Sequence, residues 1–309
     1  MLERVTAPAT AATTTTAATI ATASTGSSWL PALAVSTSVF SRTLDDAQWD
    51  ALDGSAVAAL EIAGPAPQCP LDDPVFLART RERLGRSRVR LHSVHLPYSR
   101  ALDLSQLDAA ARGQALAITE RNLRLAAALG ARLTVVHPSA EPIADGERDA
   151  RLDASRDSLG RLAKTAADEG VRLAVECLPR SCLGNTAAEL GSILAAVDPT
   201  VVGACIDVNH LNLREPDIAA AVARLAPRLF TLHCSDNDGL DERHWLPGSP
   251  QGVVDWPAFL GALRECGYAG PFLYEVRMLD PDPPTTLRLI EENYAAFIAP
   301  LCAPRGAER

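Results

Sequence analysis

Apolar residues recur along this chain in two rhythms. Short, nearly continuous apolar runs occupy residues 32–36, 56–62, 89–96, 132–137, 171–177, 201–208, 228–234 and 271–276. Runs of that length and continuity predict strands buried on both faces. Between them lie longer stretches with apolar residues on one helical face. In 107–129 these are Ala115, Ile118, Leu125 and Leu129, and in 147–169 they are Leu152, Leu159, Leu162 and Ala166. A glycine stops each, Gly130 and Gly170. Further helices are predicted over 44–52, 74–84, 186–197, 217–225, 255–266 and 285–298, with Asp255 as an N-cap and Pro257 in the first turn behind it. Eight strands alternating with helices predict a single (β/α)8 barrel over residues 29–304 rather than two smaller domains.

Residues 1–28 break the pattern. They are Ala/Thr low complexity without the basic start and apolar core of a signal peptide, so a disordered tail is expected. The rest of the 309 residues, 47% hydrophobic, can bury a large core. A net charge of −9 speaks against a protein that lives on nucleic acid. The absence of any apolar run of about 18 residues speaks against a membrane span. Seven cysteines without a CxxC pair suit reduced thiols in a cytoplasm.

The chemistry gathers at the strand ends. The third to eighth predicted strands end in His95, His137, Glu176, Asp207, His233 and Glu275. In a barrel those ends converge over one pocket, so six polar ends of metal-ligand type are poorly explained one by one. Five of the six histidines (95, 137, 210, 233, 244) stand at strand ends or in the loops just beyond; His92 is the exception. If Glu176, Asp207, His233 and Glu275 point inward, so do Ala174, Cys205, Thr231 and Leu273, while Cys177 and Cys234 face the helices. Glu176, Asp207, His233 and Glu275 make a hard-to-borderline set suited to Mn²⁺, Zn²⁺, Mg²⁺ or Co²⁺, and residue type does not choose among them. His210, one short step past its strand, is placed to meet a substrate oxygen or a second metal, or to make a local hydrogen bond. The loop after His233 crowds Asp236, Asp238, Asp241, Glu242 and His244 together, either around a cation or in solvent. Arg277 is placed either to bind an anionic group or to pair with that acidic loop. Glu61, near the end of the second strand, is placed to contact substrate hydroxyls.

Taken together, His95-Leu96-Pro97-Tyr98 with Leu102-Asp103-Leu104, Val136-His137-Pro138, Val175-Glu176, Asp207-x-x-His210, Leu232-His233 with Asp236-Asn237-Asp238-Gly239, and Tyr274-Glu275-Val276 resemble the xylose-isomerase-like TIM-barrel superfamily over about residues 31–300. That superfamily holds sugar isomerases and epimerases and the barrel-type apurinic/apyrimidinic endonucleases. For the epimerases, the resemblance implies one divalent ion on Glu176, Asp207, His233 and Glu275. Glu176 and Glu275 then move a proton through a metal-stabilised enediolate, and His210 touches the substrate. His95 and His137 line the pocket and hydrogen-bond substrate oxygens or the bound carboxylates. For the endonucleases it implies three zinc ions, with His95, His137, His210 and the Glu242-Arg243-His244 pair as further ligands, Glu242 standing where that family has Asp. The family's Pro-Gly-x-Gly turn is longer here, Pro247 to Gly252.

The expectation is therefore a metal-dependent isomerase or epimerase acting on a small carbohydrate (a sugar, sugar acid, cyclitol or their phosphates), without a nucleic-acid partner. The alternative is a multi-zinc phosphodiester hydrolase. A homo-oligomer is compatible with either.

Overall fold

The computed structural model describes residues 29–40, 44–63, 70–277 and 279–303. The expected tail, 1–28, lies outside the described residues, as does Cys69. Eight strands form one parallel sheet: β1 Leu33–Ser36, β2 Ala59–Ile62, β3 Arg90–His95, β4 Leu133–Val136, β5 Arg172–Glu176, β6 Val202–Asp207, β7 Leu229–His233 and β8 Phe272–Tyr274. The hydrogen-bonded order runs from β7 down to β1 and then to β8. Just past the strands, the Cys234 N–H donates to Leu273 O (2.8 Å) and the Glu275 N–H to Cys234 O (3.2 Å), which brings β7 and β8 together and closes a (β/α)8 barrel. Among the described residues no helix is long and apolar enough to cross a membrane.

The helices are α1 Asp46–Gly54, α2 Pro74–Arg86, α3 Ala109–Leu129, α4 Arg148–Asp168, α5 Ala187–Leu194, α6 Val208–Asn212, α7 Ile218–Leu225, α8 Trp256–Glu265 and α9 Pro283–Asn293. Side chains start most of them. Asp45 forms a capping box with Gln48, and Asp255 accepts from Ala258 N ahead of α8 as expected. Gly130 ends α3 in the left-handed conformation, φ 103°. An unforeseen helix is α6, which begins at the end of the sixth strand because the Asp207 carboxylate caps it by accepting from His210 N (2.9 Å).

Two cores result. The larger lies between sheet and helices and includes Cys177 and Cys234. Small interior clusters fill the barrel: Leu133, Val135, Ala174 and Cys205 with Phe230, and Ala34, Ala59 and Leu273. The inward alternation expected for Ala174, Cys205 and Leu273 is thus present. Behind β8, Phe272 and Tyr274 pack with Trp256 and Phe259 of α8, all fully buried, each burial worth about 1.5–3 kcal/mol. That packing fixes the strand on which Glu275 follows. Two register shifts interrupt the ladders. Leu60 pairs Leu91 but Glu61 pairs Ser93, leaving His92 as the extra residue of β3; Phe230 is the extra residue of β7. The first shift brings Ser93 and His95 onto the same face as Glu61.

Candidate active site

Glu176, at the end of β5, is the hub of the C-terminal mouth. Its Oε2 meets His95 Nε2 at 2.9 Å and His137 Nε2 at 3.0 Å, and its Oε1 meets His233 Nδ1 at 3.2 Å and His210 Nδ1 at 3.4 Å. His233 Nδ1 also lies 3.0 Å from Glu275 Oε2. Glu176, Asp207, His233 and Glu275 offer one ligand atom each within 4.8 Å of one another, the spacing a divalent ion needs. The Asp207 side chain tests the fit. Its Oδ1 caps α6, but its Oδ2 is buried with no hydrogen-bond partner, and a buried carboxylate oxygen left so is costly unless a cation completes it. Three carboxylates and an imidazole are the donor chemistry of Mn²⁺, Co²⁺ or Zn²⁺, so the residues fit such an ion.

Two further groups satisfy the same spacing: His95, His137 and Glu176, and His210, Glu242 and His244. The structure therefore brings together every residue singled out for the one-metal and three-metal sets. It also supplies internal partners. His95 and His137 share Glu176 Oε2, and Glu242 pairs with Arg180 while its Oε2 lies 3.5 Å from His210 Nε2.

The placement of Glu61 corrects the expectation that it meets substrate. Its carboxylate is wholly buried beneath the mouth, facing His233 Nε2 at 3.1 and 3.2 Å and accepting from Ser93 Oγ at 2.7 Å. Its Oε2 takes the hydrogen bonds of Ser93 and His233, while its Oε1, buried without a hydrogen bond, lies against the same His233 ring. The inward row of β2 ends one step too deep to reach the cavity. Arg277 resolves toward the acidic loop: exposed, it donates from Nη2 to Glu242 O at 2.9 Å and does not line the cavity. Of that loop's acids, Glu242 reaches the mouth. Asp236 is instead a buried strut, accepting from Gly248 N (2.9 Å) and Trp256 Nε1 (2.8 Å). It packs so closely on Gly252 that a Cβ there would lie 2.3 Å from its Oδ2. Asp238 binds Arg243 at 2.7 Å and Asp241 is exposed.

A cavity of about 320 Å³ opens above these groups, within the usual span of small-molecule sites, roughly 300–1,000 Å³. Its wall holds His95, His137, Glu176, His210, Glu242, His244 and Glu275, with Asp207 and His233 beneath. Among the wall residues to which sequence reasoning gave no role are Tyr98 and Arg180. Tyr98 stacks on His137, 4.1 Å between ring centroids; it belongs to the His95-x-x-Tyr98 stretch, which was the available signal. Arg180, in the loop after β5 with φ 49°, pairs with Glu141 and Glu242 across the mouth, and nothing in its spacing points to it. Ser93 was hidden by the bulge.

The electrostatics of the cluster follow from which groups are paired. Burial pushes the Asp207 carboxyl up to about 8, the Glu275 and Glu176 charges adding to it against His210. Burial also opposes ionisation of Glu176, yet the imidazoles of His137 and His233 hold it well below the ordinary carboxylate range. The contrast is in the number of contacts, since Glu176 lies within 3.4 Å of four imidazoles whereas Asp207 Oδ2 has one at that distance, His210 Nδ1, and no hydrogen bond. Burial holds His137 below its usual pKa, outweighing the Glu176 charge, so it is neutral and a competent ligand or hydrogen-bond donor.

The chain is a member of the xylose isomerase-like TIM barrel family, which it matches over residues 57–293. Among curated relatives, a ketose 3-epimerase of Arthrobacter globiformis is 26% identical over 211 residues, covering 67% of this chain and 71% of that protein. An L-ribulose 3-epimerase of Methylomonas sp. (strain DH-1) is 29% identical over 135 residues, 42% of this chain and 45% of that one. Among solved structures, a D-tagatose 3-epimerase-like protein superposes with a TM-score of 0.74 at 23% identity, covering 87% of this chain and 99% of that one, a likeness of fold.

Proposed function

We propose that the protein is a divalent-metal-dependent sugar epimerase or isomerase, with a ketose as its substrate class. The observation that carries this reading is the pair Glu176 and Glu275, which arrive from β5 and just past β8, meet at His233 Nδ1, and both border the cavity. Glu176, Asp207, His233 and Glu275 would hold the ion. When bound, it supplies a Lewis acid that polarises the sugar carbonyl and acidifies the adjacent C–H. Glu176 and Glu275 then act on that proton: one carboxylate removes it and the other returns one. Return to the other face of the carbon inverts it, whereas transfer by one carboxylate on one face interconverts ketose and aldose. His210 lies on the cavity wall, placed to hydrogen-bond a substrate oxygen. Glu61 fixes the His233 ring from below through Nε2, which leaves Nδ1 for the ion. Similarity to the ketose 3-epimerase and the L-ribulose 3-epimerase supports the substrate class.

The test is a ketose panel incubated with ion-loaded protein in heavy water. Deuterium at a carbon next to the carbonyl, with the epimer or isomer appearing, is expected. A folded, ion-loaded protein that exchanges no C–H in any ketose overturns the proposal. A second reading, the multi-zinc phosphodiester hydrolase, is favoured by the two additional ligand groups. Elemental analysis after dialysis separates them. One ion per chain is expected, because the imidazoles and carboxylates of the other groups already satisfy one another or Arg180. Three zinc ions with cleavage of abasic DNA would instead establish the hydrolase.

A further inference from the structure

The N-terminal mouth of the barrel holds a second cavity, about 590 Å³, that shares no residue with the one above Glu176. Its lining includes Arg90, Arg172, His92, Phe230 and Tyr268 but no aspartate or glutamate. In a chain of net charge −9 an acid-free concavity with two guanidinium groups stands apart from its surroundings.

Strand alternation accounts for the arginines. Arg172 heads the row of β5 that continues through the interior residue Ala174 to Glu176, and Arg90 pairs in register with Ala59, another interior residue. Both side chains therefore belong to the barrel mouth and not to the helix ring. Alanines at positions 32 and 59 leave the space in front of them open. Arg228, close by, is an example of a structural arginine at this end, for its guanidinium is spent on the Val202 and Val197 carbonyls. Arg90 and Arg172 have no such employment: among the described residues neither forms an ion pair, and Arg172 rests over the Phe230 ring, 4.6 Å from its centroid. The Tyr268 hydroxyl is committed to Pro271 O and His92 Nε2 to Thr231 Oγ1 (2.9 Å). What remains unmatched in the cavity is positive charge.

We propose that this cavity binds a small organic oxyanion, a phosphate monoester or a carboxylate, with the anionic group on Arg90 and Arg172 and the organic body against Phe230 and the alanine-lined wall. A guanidinium presents a planar fork that matches an oxyanion in pairs of hydrogen bonds, and two of them without counter-charges in one concavity focus positive potential there. The volume exceeds that of inorganic phosphate and suits a small metabolite.

The experiment is calorimetric titration of the ion-loaded protein with inorganic phosphate and, separately, with succinate, against sodium chloride at equal ionic strength. Saturable binding that chloride does not reproduce is expected, weakened at least tenfold in the double variant Arg90→Gln/Arg172→Gln. The tighter of the two probes identifies the kind of oxyanion. Should that variant fail to fold, Arg90→Lys/Arg172→Lys keeps the charge and loses the forks, and several-fold weaker binding is expected of it. Affinity equal to the unmodified protein in the folded variants, or a response that chloride matches, overturns the proposal. The first would place the probe at the other mouth, which these substitutions do not touch, and the second would reduce it to ionic screening.

Discussion

The C-terminal mouth gathers Glu176, Glu242 and Glu275 with His95, His137, His210 and His244 around a cavity of about 320 Å³, whereas the N-terminal mouth surrounds a larger one with two arginines and no carboxylate. Both ends are made by the same rows. On β5 the row reads Arg172, Ala174, Glu176, so one strand of five residues carries a cation, a filler and a candidate metal ligand. The helices run against the strands and sharpen this polarity. Their N-terminal ends lie toward the acids and their C-terminal ends toward the arginines, an effect of about 0.3–1 kcal/mol per well-placed charge. The two mouths nonetheless differ in how their charges are answered. The upper acids are bound to imidazoles that compete for them, with an oxygen each of Asp207 and Glu61 buried without a hydrogen bond, and the lower arginines are left with no carboxylate. A polar cluster whose charges answer one another is tightly interlocked; one whose charges go unanswered is open.

The largest effect that can break this contrast is at Glu176 and Glu275. Glu176→Gln and Glu275→Gln each remove a ligand charge and a proton carrier, and turnover is expected to fall by about 10³-fold or more. Steady-state assay on the ketose identified by exchange, alongside the ion content of each variant, is the check. Near-normal turnover in either variant with the ion bound would end the two-carboxylate mechanism. Phosphate binding at the lower mouth should be unchanged in both.

Next in size is Glu61→Gln. The carboxylate accepts from Ser93 and faces His233 Nε2, so under the proposed function it would act on the ion through the ring it orients. Loss of an outer partner of this kind typically costs about 10–100-fold in metal affinity. Metal-buffered titration should show that loss, with turnover recovering at saturating metal and KM little changed. Unaltered affinity would mean that His233 is held by β7 and Glu176 alone.

These two predictions differ in how far the sequence foretold them. Glu176 and Glu275 were legible because they stand at strand ends in a recognisable alternation, and the rows of β5 and β8 run without interruption. Glu61 was legible as a site residue but not in its role. The bulge at His92 shifts the register between β2 and β3, and whether a strand-end carboxylate stops above or below its neighbours depends on that shift. Arg180 was not legible at all, since its place is set by a loop with a left-handed φ of 49° and by acids from two other loops. Alternation can place a row; it does not place a residue that depends on another chain segment.

A smaller effect separates the two readings of the upper mouth. His244 Nδ1 donates to Glu275 O (3.1 Å), and the ring lies beside Glu242, outside the group of Glu176, Asp207, His233 and Glu275. His244→Ala should therefore lower kcat/KM by a few-fold in the epimerase reading, through a less firmly held Glu275. A loss of 10³-fold or more, with a drop in zinc content, would make His244 a ligand and favour the hydrolase.

The smallest expected effect concerns residues 1–28. Their Ala/Thr composition gives no strand or helix period and little bulk to pack, so a chain beginning at residue 29 should keep the turnover and melting temperature of the full chain. The comparison of the two mouths makes this deletion more informative than a control. Trp29, the first described residue, donates from Nε1 to Tyr268 O at 2.8 Å, and Tyr268 lines the lower cavity. The chain thus enters the barrel at the arginine end, with the length of a barrel strand between it and Glu176. Phosphate affinity within twofold of the full chain and unchanged turnover are expected. A change in phosphate binding without a change in turnover would show that the segment serves the lower mouth. A loss of turnover as well would mean that the two ends of the barrel are coupled, and that the separation drawn here between a catalytic mouth and an anion-binding one is wrong.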